Sequence, residues 1–183
     1  SLCMGQIEED VLLPFPTMSE DEKETLRGVA DAMSTMLGAH AHDFRKWDRE
    51  GHFPESFIDE LKEFGAFGLV IPEEHGGLGF GSMAYSRALQ EVAKYDASTA
   101  VTIGAHSSIG MRGLLLFGNE DQNARYYPKL ATGEMIAAFC LTEPGAGSDA
   151  ASITTKAHRE GDEWVLDGNK LWIGQDRSTQ ITP

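Results

Sequence analysis

The chain is short of cysteine, of positive charge and of long apolar runs. Two cysteines occur in 183 residues, Cys3 near one end and Cys140 in an apolar stretch. No disulfide framework is therefore indicated, and a reducing compartment is expected. Lys and Arg number 15 against 29 Asp and Glu, a formal net charge of −14. That deficit argues against nucleic acid and against an anionic membrane surface, since both call for a basic face. It also sits poorly with an anionic small ligand, although backbone N–H groups in loops hold phosphate regardless of net charge. No apolar run reaches the roughly 18 residues of a membrane span. The first residues lack a basic region followed by an apolar one, so no signal peptide is expected and the chain reads as soluble and intracellular. Its length suits one or two domains with a sizeable core.

What is present begins with helices. Residues 1–18 read as an irregular lead-in, Pro14 and Pro16 preventing a helix. Ser19 and Glu22 have capping-box spacing, and Leu26, Val29, Ala30, Met33, Met36 and Leu37 recur at helical intervals, predicting a helix to about Leu37. His40 and His42 are two apart, on different helix faces, and read as a solvated linker rather than a metal site. Pro54 opens a second helix at its first turn, with Phe57, Ile58, Leu61 and Phe64 inward and Gly65 as its stop.

Phe67 to Ile71, followed by the glycines of 76–81, imitates a strand entering a dinucleotide-binding turn. Pro72-Glu73-Glu74-His75 separates the two, so the glycines do not open directly off a strand, and the carboxylates would repel a pyrophosphate. Ser82 caps the next predicted helix, with Tyr85, Leu89, Val92 and Ala93 inward. Asp96-Ala97-Ser98 starts another that runs to Phe117. Asn119 and Gln122 cap a short helix that Pro128 is expected to disturb and Gly133 to close.

From Met135 the pattern turns to β. Met135 to Leu141 reads as a buried strand, Ile153 to His158 and Trp164 to Leu166 as strands joined by three to five residues near Gly161-Asp162, and Lys170 to Ile173 as another. Trp164 reads as a packing residue. The composition switch places a boundary between a helical domain, 1–134, and a β-domain, 135–183.

Between the first two β segments lies Phe139-Cys140-Leu141-Thr142-Glu143-Pro144-Gly145-Ala146-Gly147-Ser148-Asp149. Glycines there tolerate positive φ and let N–H groups approach a ligand closely, while Pro144 stiffens the loop. An ordinary strand-end turn is the competing reading of Gly-x-Gly-Ser alone. The whole string, with Ala150 to Ile153 and Gly168-Asn169-Lys170-Leu171-Trp172-Ile173, resembles the acyl-CoA dehydrogenase flavoproteins. Gly104-Ala105-His106-Ser107-Ser108-Ile109-Gly110 and the opening Gly5 to Asp10 with Leu13 to Pro16 make the very-long-chain branch the nearest in character.

The resemblance implies an α+β fold: an all-helical N-terminal domain, then the start of an antiparallel, barrel-like middle domain. The family's C-terminal helical bundle is absent from these residues. It implies FAD held by Phe139, Leu141, Thr142, Gly147, Ser148, Trp172 and Ile173, with Trp172 beside the flavin ring. It implies acyl-CoA contacted by Ser148, Gly104 and Ala105, an electron-transferring flavoprotein as electron acceptor, and a dimer or tetramer. It makes the glycines of 76–81 part of a structural loop. The compartment would be bacterial cytoplasm or the mitochondrial matrix.

The chemistry can be set out independently. Desaturating an acyl thioester needs a base for the α-proton, a hydride acceptor beside Cβ, and donors to the thioester oxygen. Glu143 is a tempting base and is rejected, because in the family the catalytic carboxylate comes from the C-terminal domain. No catalytic residue is then expected in this chain. A non-catalytic flavin- or acyl-CoA-binding assembly factor and a related flavin oxidase remain open. After Ile173 the resemblance fails: Gly174 to Pro183 looks like sequence from beyond a missing strand, so a piece is expected to be lacking between Ile173 and Gly174.

Overall fold

A computed structural model describes residues 13–15 and 17–174. Helices fill the first two-thirds. They are α1 (Glu20–Ala39), α2 (Phe44–Glu50), α3 (Glu55–Phe64), α4 (Ser82–Ala93), α5 (Ala97–Gly104), α6 (Arg112–Phe117) and α7 (Glu120–Ala131). One antiparallel hairpin follows, β1 (Lys156–Glu160) with β2 (Glu163–Asp167).

Helix α1 starts where Ser19 accepts the Glu22 N–H at 3.1 Å and buries Leu26, Met33 and Leu37. The other half of the expected capping box does not form. The Glu22 carboxylate instead accepts the Gly81 N–H at 3.1 Å, tying α1 to the start of α4. Between them the expected linker holds α2, which the sequence reading missed. His40 is no solvated residue: its ring lies 5.4 Å from Trp47 and 5.2 Å from Phe57, and Nε2 meets Glu60 at 2.7 Å. The two-residue spacing said nothing of this packing, which comes from residues 7 to 20 positions further along the chain. His42 is exposed, as expected.

Pro54 sits one place earlier than expected, as the N-cap of α3, and Gly65 ends that helix in the left-handed conformation. Phe57 and Leu61 are buried, Ile58 and Phe64 only half so. The glycine-rich stretch is a loop whose amides are spent on the chain itself: Leu78, Gly79 and Phe80 donate to Gly68, Ile71 and Leu69 at 2.8–3.0 Å. Gly77 must be glycine, because a Cβ there would lie 2.0 Å from the Ile71 carbonyl oxygen.

Gly81, not Ser82, caps α4, and its inward residues are Ala84, Ala88 and Val92. Tyr85 and Leu89 are half-buried and Ala93 is exposed, one helix row away from the expected stripe. The small inward side chains let α4 pack closely on α1 and α5. Asp96 caps α5 by accepting the Thr99 N–H at 2.6 Å. The single helix expected to Phe117 is interrupted by a π-helical segment, Ala105–Gly110. By length and composition alone, the 21 residues Ala97–Phe117 pass for a membrane span, which the run-length reading had discounted. Asn119 and Gln122 complete their capping box, and α7 continues through Pro128 to Ala131. The proline forfeits one backbone bond near the helix end without breaking it.

The main core gathers Met33, Leu37, Phe57, Leu61, Phe67, Leu69, Val92 and Ile103, and Ile136 joins it. A smaller cluster holds Ile71, Met111, Tyr127, Leu130 and Ala131. Beyond 134 several expectations change. Met135 to Leu141 is not a strand, and of its residues only Ile136 is buried; Cys140 is exposed. Lys170 to Ile173 forms no strand either. Among the described residues neither segment has a strand alongside to complete a ladder, and a strand cannot satisfy its own backbone. The hairpin turn is two residues, Gly161-Asp162, because Glu160 pairs with Glu163. Trp164 is 68% exposed, so it packs no core here. The expected break between Ile173 and Gly174 abuts residues 175–183, which lie outside the described residues, as do Cys3 and the Gly5 to Asp10 opening.

Candidate functional site

The glycine loop is built on a tight turn. Glu143 N–H donates to the Ala146 oxygen at 2.9 Å and Ala146 N–H returns to the Glu143 oxygen at 3.1 Å. Pro144 and Gly145 occupy the two central positions, where fixed φ and small size suit a turn. Neither Gly145 nor Gly147 has the positive φ the sequence suggested. A Cβ on either would meet nothing within 4 Å, so their lack of side chain leaves open surface above the loop.

Glu143 organises everything around it. Its side chain is 2% exposed and accepts four hydrogen bonds: Thr154 N–H and Oγ1–H at 2.7 Å each, Thr155 N–H at 3.0 Å and Lys170 Nζ at 2.9 Å. Donation from Thr155, then Thr154 and Lys170, holds its carboxyl well below the ordinary carboxylate range. A carboxylate so engaged and so acidic is a poor general base, which independently supports its rejection for that role. Its work is to clasp three stretches of chain: the loop, 154–155, and 170–172.

Two further bonds complete the clasp. Lys170 Nζ also donates to the Leu141 oxygen at 3.1 Å, and Leu171 N–H donates to the Thr142 oxygen at 2.9 Å. Thr142 is thereby set beside Leu171-Trp172, thirty residues away in sequence. Trp172 is 88% exposed, with φ at 58°, an uncommon conformation for an aromatic residue. Phe139 is exposed as well, and Leu141 and Ile173 are half-buried. The structure therefore brings Leu141, Thr142, Trp172 and Ile173 together. Gly147 and Ser148 lie exposed across the tight turn. Among the described residues the Thr142 and Ser148 hydroxyls make no hydrogen bond.

The two substrate candidates separate. Ala105 lines a groove of about 430 Å³ with Ala97, Ser98, Val101, Thr102 and Gly174, close to the end of the Trp172 segment. Gly104 faces the other way: a Cβ there would touch Leu89 Cδ1 at 3.4 Å and the Tyr85 hydroxyl at 3.7 Å. A Cβ would fit there in ordinary contact, against α4 and away from the groove. Sequence reasoning missed Lys170, Thr154 and Thr155. Their only signal was a buried carboxylate with donors 11, 12 and 27 residues downstream, which follows no periodic pattern.

The acyl-CoA dehydrogenase N-terminal domain model matches residues 19–134, and the middle domain model of the same family matches 138–182. The chain belongs to the acyl-CoA dehydrogenase family. It is 42% identical to the mitochondrial very long-chain specific acyl-CoA dehydrogenase of Macaca fascicularis over 176 residues, 94% of this chain and 27% of that protein. The Homo sapiens counterpart is 42% identical over 172 residues, 92% of this chain and 26% of that one. Among solved acyl-CoA dehydrogenases, butyryl-CoA dehydrogenase from Megasphaera elsdenii superposes with a TM-score of 0.75 at 30% identity, over 90% of this chain and 43% of that one. The enzyme from Bacillus anthracis, complexed with FAD, does so with a TM-score of 0.69 at 32% identity, over 92% and 29%. The chain thus spans about a quarter of the length of these two very long-chain relatives.

Proposed function

We propose that this chain supplies the flavin loop and part of the acyl wall of an FAD-dependent acyl-CoA dehydrogenase. The enzyme would introduce the α,β double bond into long-chain acyl-CoA and hand its electrons to an electron-transferring flavoprotein. The observation that carries this reading is the Glu143 clasp with the Leu171–Thr142 bond, which sets a loop with two unused hydroxyls beside an unpacked indole. Those groups fit FAD: Thr142 and Ser148 offer donors to polar edges and phosphate, and Trp172 offers an aromatic face. When bound, the flavin accepts hydride from Cβ, and the protein supplies position and electrostatics.

Phe139, Leu141 and Ile173 would line the dry side of the ring, and the open surface over Gly147 admits close approach. Ser148 also serves the CoA ligand, and Ala105 in its groove serves the acyl chain. The small Ala105 side chain leaves depth in that groove for long chains, each buried methylene being worth about 0.8 kcal/mol. The base for the α-proton comes from the family's C-terminal domain, not from these residues. We further read the boundary near 134 as that between a helical and a β-domain, and the assembly as a homodimer or homotetramer. The compartment that fits is the mitochondrial matrix or the bacterial cytoplasm.

The test is FAD retention by the full gene product. Wild-type protein should purify with flavin absorbance, and Thr142→Ala with Ser148→Ala should weaken retention, each lost bond costing about 1 kcal/mol. Wild-type protein that carries no flavin and takes none from added FAD would refute the reading.

A further inference from the structure

The π-helical segment Ala105–Gly110 holds a wholly buried histidine that the site so far described does not use. His106 Nδ1 accepts the Ala137 N–H at 3.0 Å. Accepting there leaves Nδ1 without a proton, so the neutral ring carries its hydrogen on Nε2. Nε2 is buried beside the Phe67 and Leu130 backbone and makes no well-aligned hydrogen bond among the described residues, so the well-formed hydrogen bond of this ring is the one to Ala137. The ring edge is set by Phe67, whose centroid lies 5.3 Å away at 85°.

The other end of the segment meets the same residue. Gly110 is pressed on Ala137 so closely that a Cβ would fall 2.7 Å from the Ala137 oxygen and 2.8 Å from its Cβ. The Met111 N–H donates to the His106 oxygen at 3.1 Å, the five-residue step of a π-turn. That wide turn sets His106 and Gly110 together against one point of the chain. Insertions of this kind in helices recur at functional sites.

The point matters because of what lies either side. Ala105, on the groove, immediately precedes His106. Ala137 stands two residues before Phe139 and five before Thr142. No strand pairing fixes 135–141 among the described residues; buried Ile136, the Met135 N–H bond to the Lys129 oxygen and the Lys170 bond to the Leu141 oxygen hold its ends, and the His106 bond and the Gly110 contact seat its middle at Ala137. We propose that His106 is a positioning residue: by accepting the Ala137 N–H it fixes the spacing between the acyl wall at Ala105 and the flavin loop from Phe139 to Ser148. This rests on the function proposed above.

Two polar replacements separate positioning from packing. In His106→Asn the side-chain oxygen falls near the place of Nδ1 and keeps the acceptor; in His106→Gln the amide lies near Nε2 and loses it. Amide hydrogen exchange at Ala137 and FAD retention are measured on the full gene product. The Gln variant should exchange Ala137 faster and lose about tenfold in FAD affinity, while the Asn variant stays within about threefold of wild type. Equal shifts in both variants, or failure of both to fold, would make His106 a packing residue and overturn the proposal. Wild-type protein without flavin would instead overturn the functional reading. Exchange at Ala137, read in the apo protein, still decides whether the bond seats the crossover.

Discussion

The two regions of this chain are held together in opposite ways. The helical region buries a continuous apolar core, with Met33, Phe57, Leu61, Phe67 and Leu69 withdrawn from solvent. The region after residue 137 buries almost nothing apolar: every residue of β1 is exposed, β2 has one half-buried residue, and Trp164, Leu166 and Trp172 face outward. What orders it is one carboxylate with four donors. A helix satisfies its backbone within its own residues and needs only a face to bury. A strand needs neighbours, and until a sheet is complete polar anchors must hold the path of the chain.

The largest contrast is a core truncation. Phe57→Ala should remove about 3–5 kcal/mol, because Phe57 touches His40, Phe44, Trp47 and Phe53 and its loss leaves a cavity. Denaturant unfolding followed by Trp47 fluorescence measures it. A loss under about 1 kcal/mol would mean that the aromatic cluster does not carry this half of the molecule.

Acid should take the two regions apart in sequence. Burial pushes the His106 pKa down from 6.5 to about 4. An unfolded chain binds that proton more readily than the folded one, so stability from the neutral ring is complete above pH 6.5. It drains away as pH falls toward 4, by an amount on the order of 3 kcal/mol. Glu143 is also depressed, from 4.5. Its contribution is complete above that value and is lost as pH falls below it. The seat of the crossover should therefore loosen first and the clasp later. Region-resolved amide exchange between pH 7 and 3 checks the order, and Glu143→Gln should abolish the later step alone. Loss of the clasp before the seat would reverse the account.

The same division explains what was legible in sequence. Helices α1, α3, α4, α5 and α7 announced themselves through caps and apolar spacing, because their causes lie within a few residues. The capping box of Asn119 and Gln122 formed whole, while that of Ser19 lost Glu22 to Gly81, 59 residues away. Helix α2 was missed because seven residues give too short a pattern. The site was half legible. Its loop and Trp172 stood out through resemblance, but the clasp did not, since nothing local in Glu143, Thr154 or Lys170 tells which oxygen each will meet. The strands expected at 135–141 and 170–173 failed for the converse reason: an apolar segment becomes a strand only beside partners, and the described residues hold none.

The smallest effect should come from the largest exposed side chain of the hairpin. Trp164 sits on β2 opposite Arg159, a directly paired position where cross-strand side chains contribute roughly 0.2–1 kcal/mol. At 68% exposure it has little buried area to lose, and the Arg159 guanidinium is already engaged by the Gly161 oxygen at 3.0 Å and by Asp162. Trp164→Ala in these 183 residues should therefore shift unfolding by less than about 0.5 kcal/mol, the range of surface substitutions. Urea unfolding read by far-ultraviolet dichroism, which does not depend on the lost fluorophore, is the measurement. A loss comparable to that of Phe57→Ala would show that the hairpin folds against the helices, and that the second region has an apolar core after all.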